Sequence, residues 1–162
     1  MAISWSILPA QTSNRYEIRK MFMYHFFKYI EWPDDNSASG EFVIAVAGDD
    51  QMAQVLSKNF NSFKRHGKKK YVVRSYDSFE QVKDCHVLFL GRSQSKYFED
   101  VKGQFEGKST LLITDRNGLG DKGSCINFKE QGNKLQFELN VSSLDKAKLK
   151  VAGQLRQVAI LI

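Results

Sequence analysis

Gly118, Gly120 and Gly123 stand at the G-x-G-x-x-G spacing of a dinucleotide fingerprint. In that motif the glycines open a helix whose N-terminus holds a pyrophosphate. Here they come late in the chain and precede CINF, residues 125–128, which reads as a strand. The spacing therefore lacks the helix that the chemistry requires. A second place for an anion is Gly48, between an apolar run and a helical pattern, but Asp49 and Asp50 follow it at once. Two carboxylates there occupy the position of a bound phosphate, and capping of the helix is the reading they support. No cofactor is expected.

Acyl-transfer chemistry finds no support either, because the chain has no G-x-S-x-G elbow. His25 lies in an aromatic helical stretch, His66 in a basic loop and His86 at a strand start, so they share no zinc-like spacing. A structural reading is preferred for each, and no metal is expected. The pairs Asp34-Asp35 and Glu99-Asp100 sit in polar surface segments, which argues for solvation. The densest charge, KRHGKKK at 64–70, reads as a solvated face at a helix end, with an anion-facing patch as the alternative. Apart from Tyr71 it has no interleaved aromatics, a poor fit to single-stranded nucleic acid.

These residues need elements to hold them. Residues 15–31 carry Ile18, Phe22, Phe26 and Tyr29 at helical spacing, widened by Met21, Phe27 and Ile30, and Pro33 closes that helix. FVIAVAG at 42–48 reads as a strand buried on both faces, followed by a helix from Asp49 or Asp50 to Phe60. The alternation continues with a strand at 70–74, a short helix at 76–82, a strand at 86–91 and a helix at 94–105. A strand at 110–115 and the loop NGLGDKG then lead to a hairpin of strands 125–128 and 134–139, turning at Gly132 and Asn133. In its second strand Leu135, Phe137 and Leu139 alternate with Gln136, Glu138 and Asn140, one face in the core and one wet. A last amphipathic helix is expected over 142–159, with Leu144, Leu149, Ala152, Leu155 and Val158 inward. The fold class is α/β: a Rossmann-like three-layer sandwich with a mainly parallel sheet of about six strands, a C-terminal antiparallel hairpin and about five flanking helices.

At 162 residues, 42% apolar, the chain has the size of one domain, and it contains no apolar run long enough to span a bilayer. The net charge of +6 favours acidic partners without specifying one. Residues 1–14 carry no charge and include an apolar stretch from Ala2 to Leu8 before Pro9 and Ala10. They read either as the tail of a secretory signal without its basic n-region or as a disordered N-terminus. If Cys85 and Cys125 start strands on either side of TLLITD, two strand spacings of about 9 to 10 Å separate them. A disulfide needs Cα atoms within about 7 Å, so both thiols are expected free.

The stretch YEIRKMFMYHFFKYIEWP at 16–33 resembles the opening of the YfiR-type regulatory domain, where an aromatic helix ends in a Glu-Trp-Pro turn. FVIAVAGDD, DCHVLFLGRS, LLITDRNG, CINF with its return LQFELN, and the closing GQLRQVA extend the resemblance in order over residues 15–162. It implies a periplasmic, non-enzymatic repressor of a membrane-bound diguanylate cyclase of the YfiN type, controlling cyclic-di-GMP and biofilm formation. It also implies a homodimer, and similar domains serve as sensory modules of histidine kinases. Redox-active disulfides in the family have no clear counterpart in a chain with two cysteines.

The expected partner or ligand contacts are Glu31 and Trp32 at the helix corner, Arg116 and Asn117 after the fourth strand, and Glu138 and Asn140 on the wet face of the hairpin. Trp32 reads equally as an interface anchor and as a lid on the core. The expected partner is a membrane protein, with no nucleic acid and no direct membrane insertion. The rivals are a small nucleotide-binding enzyme using residues 118–123 and a binder of anionic polymers using residues 64–70.

Overall fold

The computed structural model describes residues 4–35, 40–61 and 63–162. The aromatic stretch forms the second half of α1 (Ser4–Tyr29), which begins before the expected residue 15 and ends before Glu31. Residues 1–3 lie outside the described residues; of the segment read as a signal tail or disordered terminus, 4–14 have helical backbone. Met23, Phe26 and Phe27 are buried, Phe26 against Phe137 at 4.8 Å between ring centroids and Phe27 against Phe60 at 5.4 Å. Ile18 and Met21, expected inside, face solvent.

After α1 come β1 (Ile30–Glu31), β2 (Glu41–Ala47), α2 (Asp50–Phe60), β3 (Lys64–Arg65) and β4 (Lys69–Tyr76). A single 3-10 turn at Phe79–Gln81 stands where a short helix was expected, and β5 (Val87–Leu90) follows. The next expected helix divides into a 3-10 segment, Arg92–Tyr97, and α3 (Phe98–Gln104). Then come β6 (Leu111–Thr114), β7 (Ile126–Gln131) and β8 (Lys134–Leu139). Gly132, with φ of +62°, opens the two-residue turn between β7 and β8.

The final helix expected over 142–159 is instead α4 (Val141–Lys146), β9 (Lys150–Val151), α5 (Gly153–Val158) and β10 (Ile160–Leu161). Lys148 adopts φ of +60°. The Leu149 N–H then donates to the Leu144 carbonyl and the Lys148 N–H to that of Asp145, the paired bonds that end a helix with one left-handed residue. Hydrophobic spacing does not register such a break, and Val158, expected inward, is 69% exposed.

One sheet has eight strands in the order β10-β8-β7-β6-β5-β2-β4-β3, and β1 pairs antiparallel with β9 in a two-stranded ribbon. All neighbours in the large sheet are parallel except β3 with β4 and β7 with β8. The expected six strands thus become eight, because β3 and β10 are two-residue edge pieces too short to carry a period. Among the described residues the chain is a mixed α/β protein with five α-helices and a mostly parallel sheet carrying an antiparallel hairpin. None of those helices is long and apolar enough to cross a membrane.

Candidate functional site

In an open parallel sheet, ligands bind beyond the carboxyl ends of the strands where the strand order reverses. Here β2 leads to β4 on one side and β5 lies on the other, so the reversal falls between β2 and β5. That crevice is filled by the chain itself. The Gly91 N–H donates to the Ala47 carbonyl at 2.8 Å and the Ser93 hydroxyl to the Gly48 carbonyl at 3.0 Å. A Cβ on Gly91 would lie 2.5 Å from the Gly48 carbonyl oxygen, which leaves no room for a cofactor's phosphates between the two loops.

The open space lies further along the same edge, a cavity of about 600 Å³ lined by Arg92, Asp115, Arg116, Asn117, Phe128 and Glu130. Its floor is an ion-pair cluster. Arg19, 2% exposed, forks onto Asp115 at 2.9 and 3.2 Å and reaches Glu130 at 2.8 Å. Arg92 donates to the Asp115 main-chain carbonyl at 3.2 Å and approaches both carboxylates at 3.4 and 3.5 Å, and Arg15 meets Glu130 at 3.2 Å. Burial of Arg19 is tolerable because its charge is paired and its donors are used. Three guanidinium groups, of Arg15, Arg19 and Arg92, thus pair with two carboxylates, and exposed Arg116 adds a further positive charge to the cavity's lining. Among the described residues the cavity's lining contains no hydroxyl, thiol or imidazole side chain. Its chemistry is that of holding a carboxylate, a phosphate or main-chain carbonyls.

Four of the six expected contact residues converge on the loop after β6. Arg116 and Asn117 are exposed at the cavity, as expected for contacts. Glu138 is not on a wet face: it is 9% exposed and accepts from the Asn127 side chain at 3.0 Å. Thr114 Oγ1 lies 2.7 Å from Asn127 Oδ1 and 2.8 Å from Ser124 Oγ. Asn127 Oδ1 can only accept, so Thr114 gives its one proton to it, and the Ser124 hydroxyl donates to the Ile126 carbonyl at 2.9 Å. Asn127 Oδ1 also accepts from the Arg116 N–H at 3.3 Å, so this buried network fixes the loop. Asn140 is half-buried and structural, capping α4 through the Ser143 N–H and donating to the Gly120 carbonyl at 2.8 Å. The polar positions of β8 are not open to water, because the loop after β6 packs on them: a Cβ on Gly120 would lie 2.6 Å from Glu138 Oε1. Residues 118–123 form turns leading into β7, with no helix behind them.

Glu31 and Trp32 lie elsewhere, near the amino ends of the parallel strands. Glu31 is exposed. Trp32 is 3% exposed, its Nε1 donating to the His86 carbonyl at 3.0 Å and its ring edge-on to Phe42 at 4.8 Å, which makes it core and not an exposed anchor. Arg65 stacks on it, its guanidinium carbon 4.8 Å from the ring. The same guanidinium forks onto Asp35 at 3.0 and 2.8 Å and donates to the Phe27 and Ile30 carbonyls at the end of α1. Lys69 is likewise buried and paired with Asp34. Two cations of the basic run therefore point inward, whereas Lys64, Lys68 and Lys70 form the solvated face.

Burial raises the Asp35 carboxyl, but its bonds from Arg65 and from the Trp32 N–H outweigh that and hold it below its ordinary value. Asp34 is likewise raised by burial and lowered further by Lys69 and His86. His86 Nδ1 accepts from the Val43 N–H at 3.0 Å, so its proton sits on Nε2, 3.0 Å from Asp34. The ring is a structural bridge. Burial pushes the Cys85 thiol up to about 12 and that of Cys125 up to about 11, away from thiolate chemistry. Both are free and flank β6. The strand registers offset them by about three residues as well as two strands, roughly 14 Å in all.

Arg19, Arg92, Asp115 and Glu130 were not singled out from the sequence. Arg19 carries a signal in retrospect: it lies on the stripe of Met23, Phe26 and Ile30, and a cation on a core-facing stripe demands a buried partner. Glu130 lies beyond the expected end of its strand, and nothing local marks it.

Residues 16–160 match the model of a protein family described as YfiR/HmsC-like. No curated protein matches the chain.

Proposed function

The chain belongs to the YfiR/HmsC-like family, and from that premise we propose that it binds and restrains a membrane-bound diguanylate cyclase of the YfiN type. Restraint lowers cyclic-di-GMP and with it biofilm formation, and the chain performs no catalysis of its own. The family is one of periplasmic regulators of diguanylate cyclase signalling and is not an enzyme family. In this reading residues 15–162 are the regulatory domain, exported to the periplasm and acting as a homodimer.

The observation that carries the reading is the family match over nearly the whole domain. The geometry adds a contact surface. Arg92, Arg116 and Asn117 are exposed on a rigid base of paired charges. The Arg92 guanidinium, held on the Asp115 carbonyl, suits carboxylates or main-chain carbonyls of a partner segment, and Arg116 adds an exposed cation beside it. Fixing Arg92 before contact lowers the ordering cost of binding.

The test is cyclic-di-GMP in cells that co-express a YfiN-type cyclase with this chain carrying an export signal. The wild-type chain is expected to lower the nucleotide severalfold, and Arg92→Glu with Arg116→Glu to relieve that repression. Unchanged nucleotide with a well-expressed, exported wild-type chain would remove the proposal.

A further inference from the structure

A different face of the molecule carries an apolar groove with a cationic rim. Met21 and Tyr24 on α1 are 57% and 55% exposed, and Phe63, just before β3, is 62% exposed. They border a cavity of about 630 Å³ whose floor is Phe60 and Tyr71, both buried. Lys20, Lys64, His25 and His66 line it, and among the described residues no carboxylate does. Lys68 and Lys70 stand exposed next along the chain. Glu17 pairs with Lys20 at 2.5 Å and the two charges cancel, so the positive charge at the groove rests on Lys64 with Lys68 and Lys70 beyond it. Three large apolar side chains gathered at one concavity are more than the scattered exposure of an ordinary surface.

We propose that this groove is a docking site for an acidic segment of a partner protein, one that carries two or three large apolar side chains among its carboxylates. Charge complementarity selects the occupant: apart from the phenols of Tyr24 and Tyr71, the ionisable side chains among its described lining are those of lysine and histidine, so an acidic chain is attracted and a basic one repelled. Shape argues against a bilayer, because a flat lipid surface cannot fill a concavity floored by Phe60 and Tyr71. Charge argues against a second copy, since a two-fold contact sets each cation of this patch against its own like. Apolar side chains of the segment would cover Met21, Tyr24 and Phe63, and its carboxylates would meet Lys64 and the adjoining lysines. The inference goes beyond restraint of a cyclase and does not depend on it, since the Arg92 and Arg116 surface is built from other residues.

The experiment is selection of a random 12-residue peptide library on the purified chain, followed by titration of synthetic winners. Enrichment of acidic peptides with at least two aromatic or large aliphatic residues is expected. Affinity should fall at least tenfold in Met21→Ser/Phe63→Ser and in Lys64→Glu/Lys68→Glu, and severalfold between 50 and 500 mM salt, as screening of exposed charges requires. All four side chains are exposed, so both variants should keep the wild-type melting temperature. Enrichment of neutral or basic peptides, no enrichment, or binding indifferent to both variants would overturn the proposal. Dimerisation that Met21→Ser/Phe63→Ser abolishes would assign the groove to a second copy. Binding to phosphatidylglycerol vesicles lost in the same variant would assign it to lipid. Either result also overturns it.

Discussion

Arg19, within α1, and Arg65, in β3 at the carboxyl end of α1, do similar work: each is a buried guanidinium that ties the helix to a loop carboxylate, Asp115 or Asp35. Removing one partner of such a pair leaves the other charge buried and uncompensated, whereas replacing both with apolar groups restores much of the loss. Arg19→Met is therefore expected to destabilise the fold by about 3 kcal/mol. Arg19→Met with Asp115→Leu should cost clearly less than the sum of the single changes in urea unfolding, and strict additivity would show that the pair is not coupled. Trp32→Ala empties a core position and strips a donor from the His86 carbonyl, so a loss of about 3 to 5 kcal/mol is expected. Asp34 and Asp35 make the stability depend on pH. Their folded values lie below the ordinary 3.8, so their contribution is complete well above that pH and is lost as pH falls through the folded values. Asp35→Asn should remove part of the acid-side fall in melting temperature. The buried thiols should react slowly with iodoacetamide in the native protein and take two adducts in denaturant without reductant; fewer than two would reveal a disulfide.

At the scale of elements, Lys148 is the position where a helix turns into a strand. A lysine in left-handed backbone is strained, and glycine adopts that geometry freely. Lys148→Gly is expected to stabilise the chain by about 1 kcal/mol in urea titration; a loss of stability would mean that the lysine side chain holds more than the strain costs. The same position shows why the C-terminal third was hard to read. Leu144, Leu149 and Leu155 fit a helical stripe and are all buried, yet Leu144 and Leu155 belong to two separate helices and Leu149 to the link between them. By contrast, FVIAVA, VLFL and LLIT declared themselves as strands because a strand covered on both faces has almost no polar position. The candidate site was half legible. Arg116 and Asn117 were visible as polar residues after a core strand, but their base of paired charges comes from α1, from the loop after β5 and from the far end of β7, which only the folded chain brings together. Glu138 and Trp32 misled for a related reason, since alternation or amphipathic character gives a side chain a direction without saying what covers it.

The whole molecule presents two surfaces of different character. At the carboxyl ends of β6 and β7 an arginine-rich cavity rests on a rigid ion-pair floor, and beside α1 an apolar groove carries lysines and histidines. Its net charge of +6 favours acidic partners at both. The central claim concerns the first surface, and its most direct measurement is the affinity of the full chain for a YfiN-type diguanylate cyclase held in nanodiscs. Saturable binding is expected, weakened at least tenfold by Arg92→Glu with Arg116→Glu in a variant whose circular dichroism shows it folded. No binding by the folded wild-type chain, or equal binding by both forms, would contradict it.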